Sequence, residues 1–200
     1  MPSPFHLHPT FHDILKRSDK ERLLDQKSMV IWMTGLSGAG KTTLAKHLEE
    51  QLFKLGYLTQ ILDGDNIRSG INSNLGFSDE DRFENIRRIA EISKLFLDCG
   101  IIAINCFISP TEEIREMARK IIGSENFLEV YVNAPFAVCE SRDVKGLYTK
   151  ARRGEILHFT GIDSPFETPA TADVEIRTDQ QSIEESLAML MEFILPRLRL

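Results

Sequence analysis

The chain has 200 residues, 42% of them hydrophobic, and its 24 Lys and Arg against 30 Asp and Glu leave a formal charge of −6. That length suits one domain with a sizeable core and leaves no room for a second full one. An acidic balance without a basic stripe argues against a nucleic-acid surface, so any anionic substrate must be met by local positive charge.

In chain order, residues 1–28 read as an extension, irregular at first with Pro2, Pro4 and Pro9, then charged and helical over 11–24. His6, His8 and His12 lack Cys or carboxylate partners at ligand spacing, so no metal is expected there. The segment has no basic-then-apolar layout of a signal peptide, and no run approaches the roughly 18 apolar residues of a membrane span. A cytoplasmic protein without a membrane partner is expected. Cys99, Cys106 and Cys139 are odd in number and set in apolar stretches, which reads as reduced core thiols.

Val30-Ile31-Trp32-Met33 is a buried strand, and Gly35-Leu36-Ser37-Gly38-Ala39-Gly40-Lys41-Thr42 follows it as a complete G-x-x-x-x-G-K-[ST] phosphate-binding loop. Its glycines let backbone N–H groups turn around a phosphate, Lys41 reaches β/γ oxygens, and the Thr42 hydroxyl can ligate Mg²⁺. Thr43 opens a helix to about residue 54, ended by Gly56, whose N-terminal dipole favours the anion. The loop predicts a nucleoside triphosphate ligand, with ATP and Mg²⁺ as donor pair.

A short strand over 59–62 ends in Asp63-Gly64-Asp65, and residues 79–98 show amphipathic helical spacing closed by Gly100. Continuous apolar runs at 101–104 and 127–132 read as strands covered on both faces, each followed by a helical pattern, at 111–121 and 135–142. A last strand at 173–176 precedes Ser182-x-x-Glu185, a capping box opening a helix to about residue 195. Strand and helix alternate throughout, which predicts an α/β fold with a parallel sheet of about five strands in a domain over 29–200. Only residues 145–169, basic and rich in Gly and Pro without a clear period, break the rhythm; a lid and a solvated loop both fit.

The run at 101–104 ends in Asn105-Cys106, where many ATPases and GTPases place a magnesium-binding Asp. The acids lie instead at the end of the preceding strand. Asp65 there could take or direct the proton of an attacking hydroxyl, and Asp63 could act on Mg²⁺ through its water shell. A chemically idle Asp-Gly-Asp turn is the alternative.

Asp63-Gly64-Asp65-Asn66-Ile67-Arg68, Leu75-Gly76-Phe77-Ser78-Asp79-Glu80-Asp81-Arg82, Glu84-Asn85-Ile86-Arg87-Arg88, Phe107-Ile108-Ser109-Pro110, Lys145-Gly146-Leu147-Tyr148 and Phe159-Thr160-Gly161-Ile162-Asp163 stand in this order. They resemble the successive motifs of adenylyl-sulfate kinases over roughly residues 29–178. The resemblance implies a phosphate-loop kinase fold of three layers, a homodimer, and transfer of the γ-phosphoryl group of ATP to the 3′-hydroxyl of adenylyl sulfate. It implies substrate contacts at Asp65, Arg68, Phe77, Arg82, Asn85, Phe107, Ile108, Lys145, Leu147 and Phe159, and a catalytic role, proposed for the family as a phosphoserine, at Ser109. The residue types agree with that chemistry. Arg68 and Arg82 can grip a phosphosulfate, and Phe77 and Phe159 can sandwich an adenine. Arg82 as a solvated charge and Phe77 as a core residue are the plainer readings. Ala39 and Thr42 replace the commoner serines of the family's loop, with the metal-ligating hydroxyl kept. A gluconate- or nucleotide-type kinase leaves the Phe-Ile-Ser-Pro and Lys-Gly-Leu-Tyr motifs without a role, and a non-catalytic nucleotide sensor would not need both Lys41 and Asp65.

Overall fold

The computed structural model describes Thr10 and residues 13–200. Five strands, β1 (Val30–Thr34), β2 (Thr59–Asp63), β3 (Ile102–Cys106), β4 (Phe127–Asn133) and β5 (Val174–Arg177), form one sheet in the order β2-β3-β1-β4-β5. Every pairing in it is parallel. Side chains alternate across a strand, so β1 sends Ile31 and Met33 to one face and Val30 and Trp32 to the other. The first face is covered by α2 (Lys41–Lys54) and α8 (Ile183–Leu198) through Leu44, Leu48, Leu52, Leu190 and Ile194. The second is covered by α4 (Asp79–Asp98) and α5 (Glu112–Ile122) through Ile86, Ile89, Ala90, Ile114 and Ala118. Each of the buried Leu and Ile side chains among these contributes about 1.5–3 kcal/mol, and a sheet covered on both faces is why the central strands read as largely apolar runs. The three-layer phosphate-loop kinase fold and the parallel sheet are as expected from the sequence.

Strand order also places the site. From central β1 the chain goes out to β2, returns through β3, and then crosses to β4 on the other side. Loops at the carboxyl ends of β1 and β3 therefore diverge and leave a crevice. The phosphate loop, Asp63 and the segment after β3 all open onto it.

Several elements differ from the sequence reading. The helix expected over 11–24 is α1 (Arg17–Leu24); residues 11 and 12, like His6, His8 and His12, lie outside the described residues. Its start is set by Asp19, whose carboxylate accepts the Lys16 N–H at 3.0 Å. Residues 21–28 cover the chain's own core: Gln26 bonds Leu58 and Gly100, and Ser28 bonds Glu21 and Leu97. Asp63-Gly64-Asp65 leads into a short helix, α3 (Gly64–Arg68), capped by Asp63. The segment 145–169 contains α7 (Leu147–Arg152), just after α6 (Phe136–Arg142). Six residues are too few to show a period; its N-cap is Gly146, which has no side chain to bond, and Asp143, before the segment, accepts the Tyr148 and Thr149 N–H groups at 2.9 and 3.0 Å. Cys99 is exposed at the end of α4, so only Cys106 and Cys139 are core thiols. The capping box at Ser182 and Glu185 forms as read.

Candidate active site

The phosphate loop is fixed by close backbone packing. A Cβ on Gly35 would stand 2.3 Å from the Val132 carbonyl oxygen, and one on Gly38 would stand 2.7 Å from that of Cys139, both at positive φ. Only glycine fits either position. Ala39 is fully buried beneath the loop, and Leu36 faces a smaller hollow beside Tyr131 and Phe136. Ser37, Gly38, Gly40, Lys41, Thr42 and Thr43 line a cleft of about 1030 Å³. Three braces unseen in the sequence hold the loop from behind. Tyr148 Oη donates to Ser37 O at 2.8 Å, Arg142 to Gly38 O at 3.1 Å, and Thr178 Oγ1 to Ala39 O at 2.7 Å. They come from α6, α7 and the end of β5, and of them only Tyr148 fell within a recognised motif.

Lys41 is buried at the start of α2 and donates to the carbonyls of Gly35 and Leu36, each at 2.8 Å. Burial disfavours its charged form and lowers its pKa from 10.5 to about 8. Thr42 Oγ1 donates to Asp63 Oδ2 at 2.7 Å, which sets a hydroxyl and a carboxylate side by side at the loop's edge. Hard oxygens of this kind suit Mg²⁺, which is held by few protein ligands together with phosphates. Consistent with so sparse a set, the described residues hold no cluster of three His, Cys, Asp or Glu for a metal. Asp65, one short step along α3, is ion-paired to Lys145 across the cleft.

The far wall gathers the other residues singled out from the sequence. Arg68, Phe77, Arg82, Asn85, Phe107, Ile108, Ser109, Leu147 and Phe159 all line the same cleft. Arg68 lies over the Phe77 ring, 4.4 Å from its centroid, and donates to the Leu75 and Gly76 carbonyls. Phe77 is 55% exposed, which rules out the plain core role. Arg82 is no solvated charge. It donates to Phe77 O at 2.9 Å, to Thr160 Oγ1 at 2.7 Å and to His158 O, so it ties α4 to the segment after α7. Burial lowers the pKa of both arginines; for Arg68 the Arg82 charge adds to it, while Asp81 and Asp65 oppose the shift of Arg68 and Asp79 and Asp163 that of Arg82. Phe159 is nearly buried, its ring edge-on to Tyr148 at 4.9 Å, so one side of it belongs to the core. Asn85 is held by Asn72 at 2.9 Å.

Ser109 is buried, with its backbone left-handed at φ 46. Its Oγ accepts from Trp32 Nε1 at 2.9 Å. Trp32, stacked between Phe107 and Phe127, was read from the sequence only as a strand residue.

A three-layer parallel sheet, a phosphate loop with its lysine, and a facing acid within one cleft define a phosphate-loop kinase. A family model described as Adenylylsulphate kinase matches residues 27–177. A Bacteroides thetaiotaomicron protein named adenylyl-sulfate kinase is 60% identical over 193 residues, 96% of each chain. The solved structure of the Mycobacterium tuberculosis APS kinase CysC in complex with AMPPNP and APS aligns with a TM-score of 0.81 at 43% identity, over 84% of this chain and 98% of that one. A hexameric APS kinase from Thiobacillus denitrificans aligns at 27% identity with a TM-score of 0.66, over 86% of this chain and 30% of the other. The chain belongs to the adenylyl-sulfate kinase family.

Proposed function

We propose that the chain transfers the γ-phosphoryl group of ATP to the 3′-hydroxyl of adenylyl sulfate, giving 3′-phosphoadenylyl sulfate and ADP. The observation that carries this reading is the Asp65–Lys145 pair, set in one cleft between the phosphate loop and the Arg68–Phe77–Arg82 wall. Lys41 leaves the Gly35 and Leu36 carbonyls to bridge the β- and γ-phosphates. Thr42, and Asp63 through the water shell, would hold Mg²⁺, which would neutralise phosphate charge. Arg68 and Arg82 grip the phosphosulfate, Phe77 and Phe159 flank the adenine, and Asn85, Phe107, Ile108 and Leu147 shape the rest of the acceptor pocket. Asp65 orients the 3′-hydroxyl and takes its proton, once Lys145 turns from the carboxylate to the anionic substrate. Ser109 acts by position. Its hydroxyl already accepts from Trp32, and in-line transfer between two bound substrates needs no covalent relay.

Residues 145–169 work as the lid, joined to α4 through Arg82. The domain over 29–200 with its N-terminal extension, a homodimer and a cytoplasmic setting complete the proposal. No helix among the described residues is long and apolar enough to cross a membrane.

A coupled assay of ADP release with adenylyl sulfate or AMP as acceptor, run on wild type and on Asp65→Asn, tests the reading. Adenylyl sulfate should support turnover and AMP little. Asp65→Asn should lower kcat by about 10²-fold or more with the KM for ATP little changed, the range of a positioned acid or base. Equal turnover with AMP would contradict the acceptor assignment, and a shift in Mg²⁺ requirement alone would make Asp65 a metal-shell residue.

A further inference from the structure

Behind the Phe107–Ser109 wall of the cleft lies a buried charge cluster that no step above uses. Arg115, on α5, is 1% exposed; both terminal nitrogens of its guanidinium group have hydrogen-bond acceptors, and Nε faces a carboxylate as an ion pair without hydrogen-bond geometry. One terminal nitrogen donates to the Ser109 carbonyl at 2.9 Å and the other to Glu112 Oε2 at 2.7 Å. Nε stands 3.1 Å from Oε1 of Glu129, itself 4% exposed, which sits on β4 in register with Trp32. Arg119 closes the cluster from the next turn of α5, 2.9 Å from Glu129 Oε2. A buried ion pair is a weak source of stability, because desolvating both charges offsets most of their attraction. Its geometry is therefore the more informative feature, and all of it converges on Ser109.

Ser109 is one of few described non-glycine residues with positive φ. An L-residue keeps that conformation only when its surroundings over-determine it. Here Trp32 holds the side chain, Arg115 holds the carbonyl, and Thr34 Oγ1 holds the preceding Ile108 carbonyl at 2.6 Å.

We propose that Arg115, held by Glu129 and Glu112, is a positioning residue. It locks Ser109 in its left-handed conformation and thereby sets the Phe107–Ser109 wall against the acceptor substrate. The inference rests on the reading of this cleft as an adenylyl-sulfate site. A guanidinium is a rigid planar fork, and the single ammonium of lysine cannot reach the Ser109 carbonyl and Glu112 together while still lying against Glu129.

The test is a double-mutant cycle between Arg115→Lys and Ser109→Gly, read as steady-state kinetics for both substrates. Arg115→Lys should raise the KM for adenylyl sulfate about tenfold or more while the KM for ATP stays within about twofold, since a small displacement of the acceptor wall is felt on that side. In the Ser109→Gly background the same change should cost about threefold or less, because glycine adopts positive φ without being held. Parallel loss for both substrates, no change, or penalties that simply multiply would overturn the proposal. Should Arg115→Lys fold poorly, the charge-free pair Arg115→Met with Glu129→Gln leaves no unpaired buried ion; an unchanged KM for adenylyl sulfate there would equally overturn it. Wild-type enzyme that fails to use adenylyl sulfate at all would instead refute the function on which the inference rests.

Discussion

Lys41 is the residue whose charge responds most directly to a nucleotide. Burial brings its pKa to about 8 in the open cleft, and adjacent phosphates would favour the ammonium and raise it again. Binding must then take up a proton, little at neutral pH and approaching a full proton as pH rises past about 8. Titration calorimetry of an ATP analogue in buffers of different ionisation enthalpy should show this uptake growing from about pH 7 to about pH 9, with apparent affinity falling over the same span. Uptake that is absent at the higher pH would mean that Lys41 stays fully charged without ligand. The loop itself was legible because its spacing carries its own mechanism, and the acids were legible because a strand end pointed them at it. Arg142 and Thr178 were not, since each acts on a carbonyl far away in sequence; Arg115, only six residues from Ser109, was not because its Glu129 partner lies on another element.

At the level of elements, strands buried on both faces and helices with one apolar stripe announced themselves, and α4 was read to its ends from its spacing and Gly100; the structure adds Ser78 as its N-cap. The short helices α3 and α7 were missed for want of a period. Each has a carboxylate accepting backbone N–H at its start: Asp63 as the N-cap of α3, and Asp143, three residues before the Gly146 N-cap, for α7. These marginal elements carry much of the acceptor side. Arg68 ends α3, and Arg82 in the first turn of α4 reaches the segment after α7. Replacing Arg68 or Arg82 with Ala should therefore raise the KM for adenylyl sulfate more than the KM for ATP, by about 1.5–3 kcal/mol of lost charge-assisted bonding, or roughly ten- to a hundredfold. The opposite pattern in steady-state kinetics would move that arginine to the nucleotide side.

Over the whole molecule, a net charge of −6 coexists with a cleft lined by Lys41, Arg68, Arg82, Arg142 and Lys145. Asp63, Asp65, Asp143 and Glu155 line the same cleft, so the positive charge is local: Lys41 at the phosphate loop and Arg68 and Arg82 on the far wall are the cations that composition required but could not locate. The sheet order brings both halves of the reaction to one crevice: the phosphate loop after β1, the acid after β2 and the acceptor wall after β3. The proposal of one direct transfer rests on a cleft of about 1030 Å³ shared by the phosphate loop and the far wall, where the Ser109 hydroxyl accepts from Trp32. The most direct measurement is the stereochemical course at phosphorus, using ATP made chiral at the γ-phosphate with oxygen isotopes and analysing the 3′-phosphate of the product. One in-line transfer predicts inversion of configuration. Retention, with a phosphoserine at Ser109 that forms and decays as fast as turnover, would contradict the account.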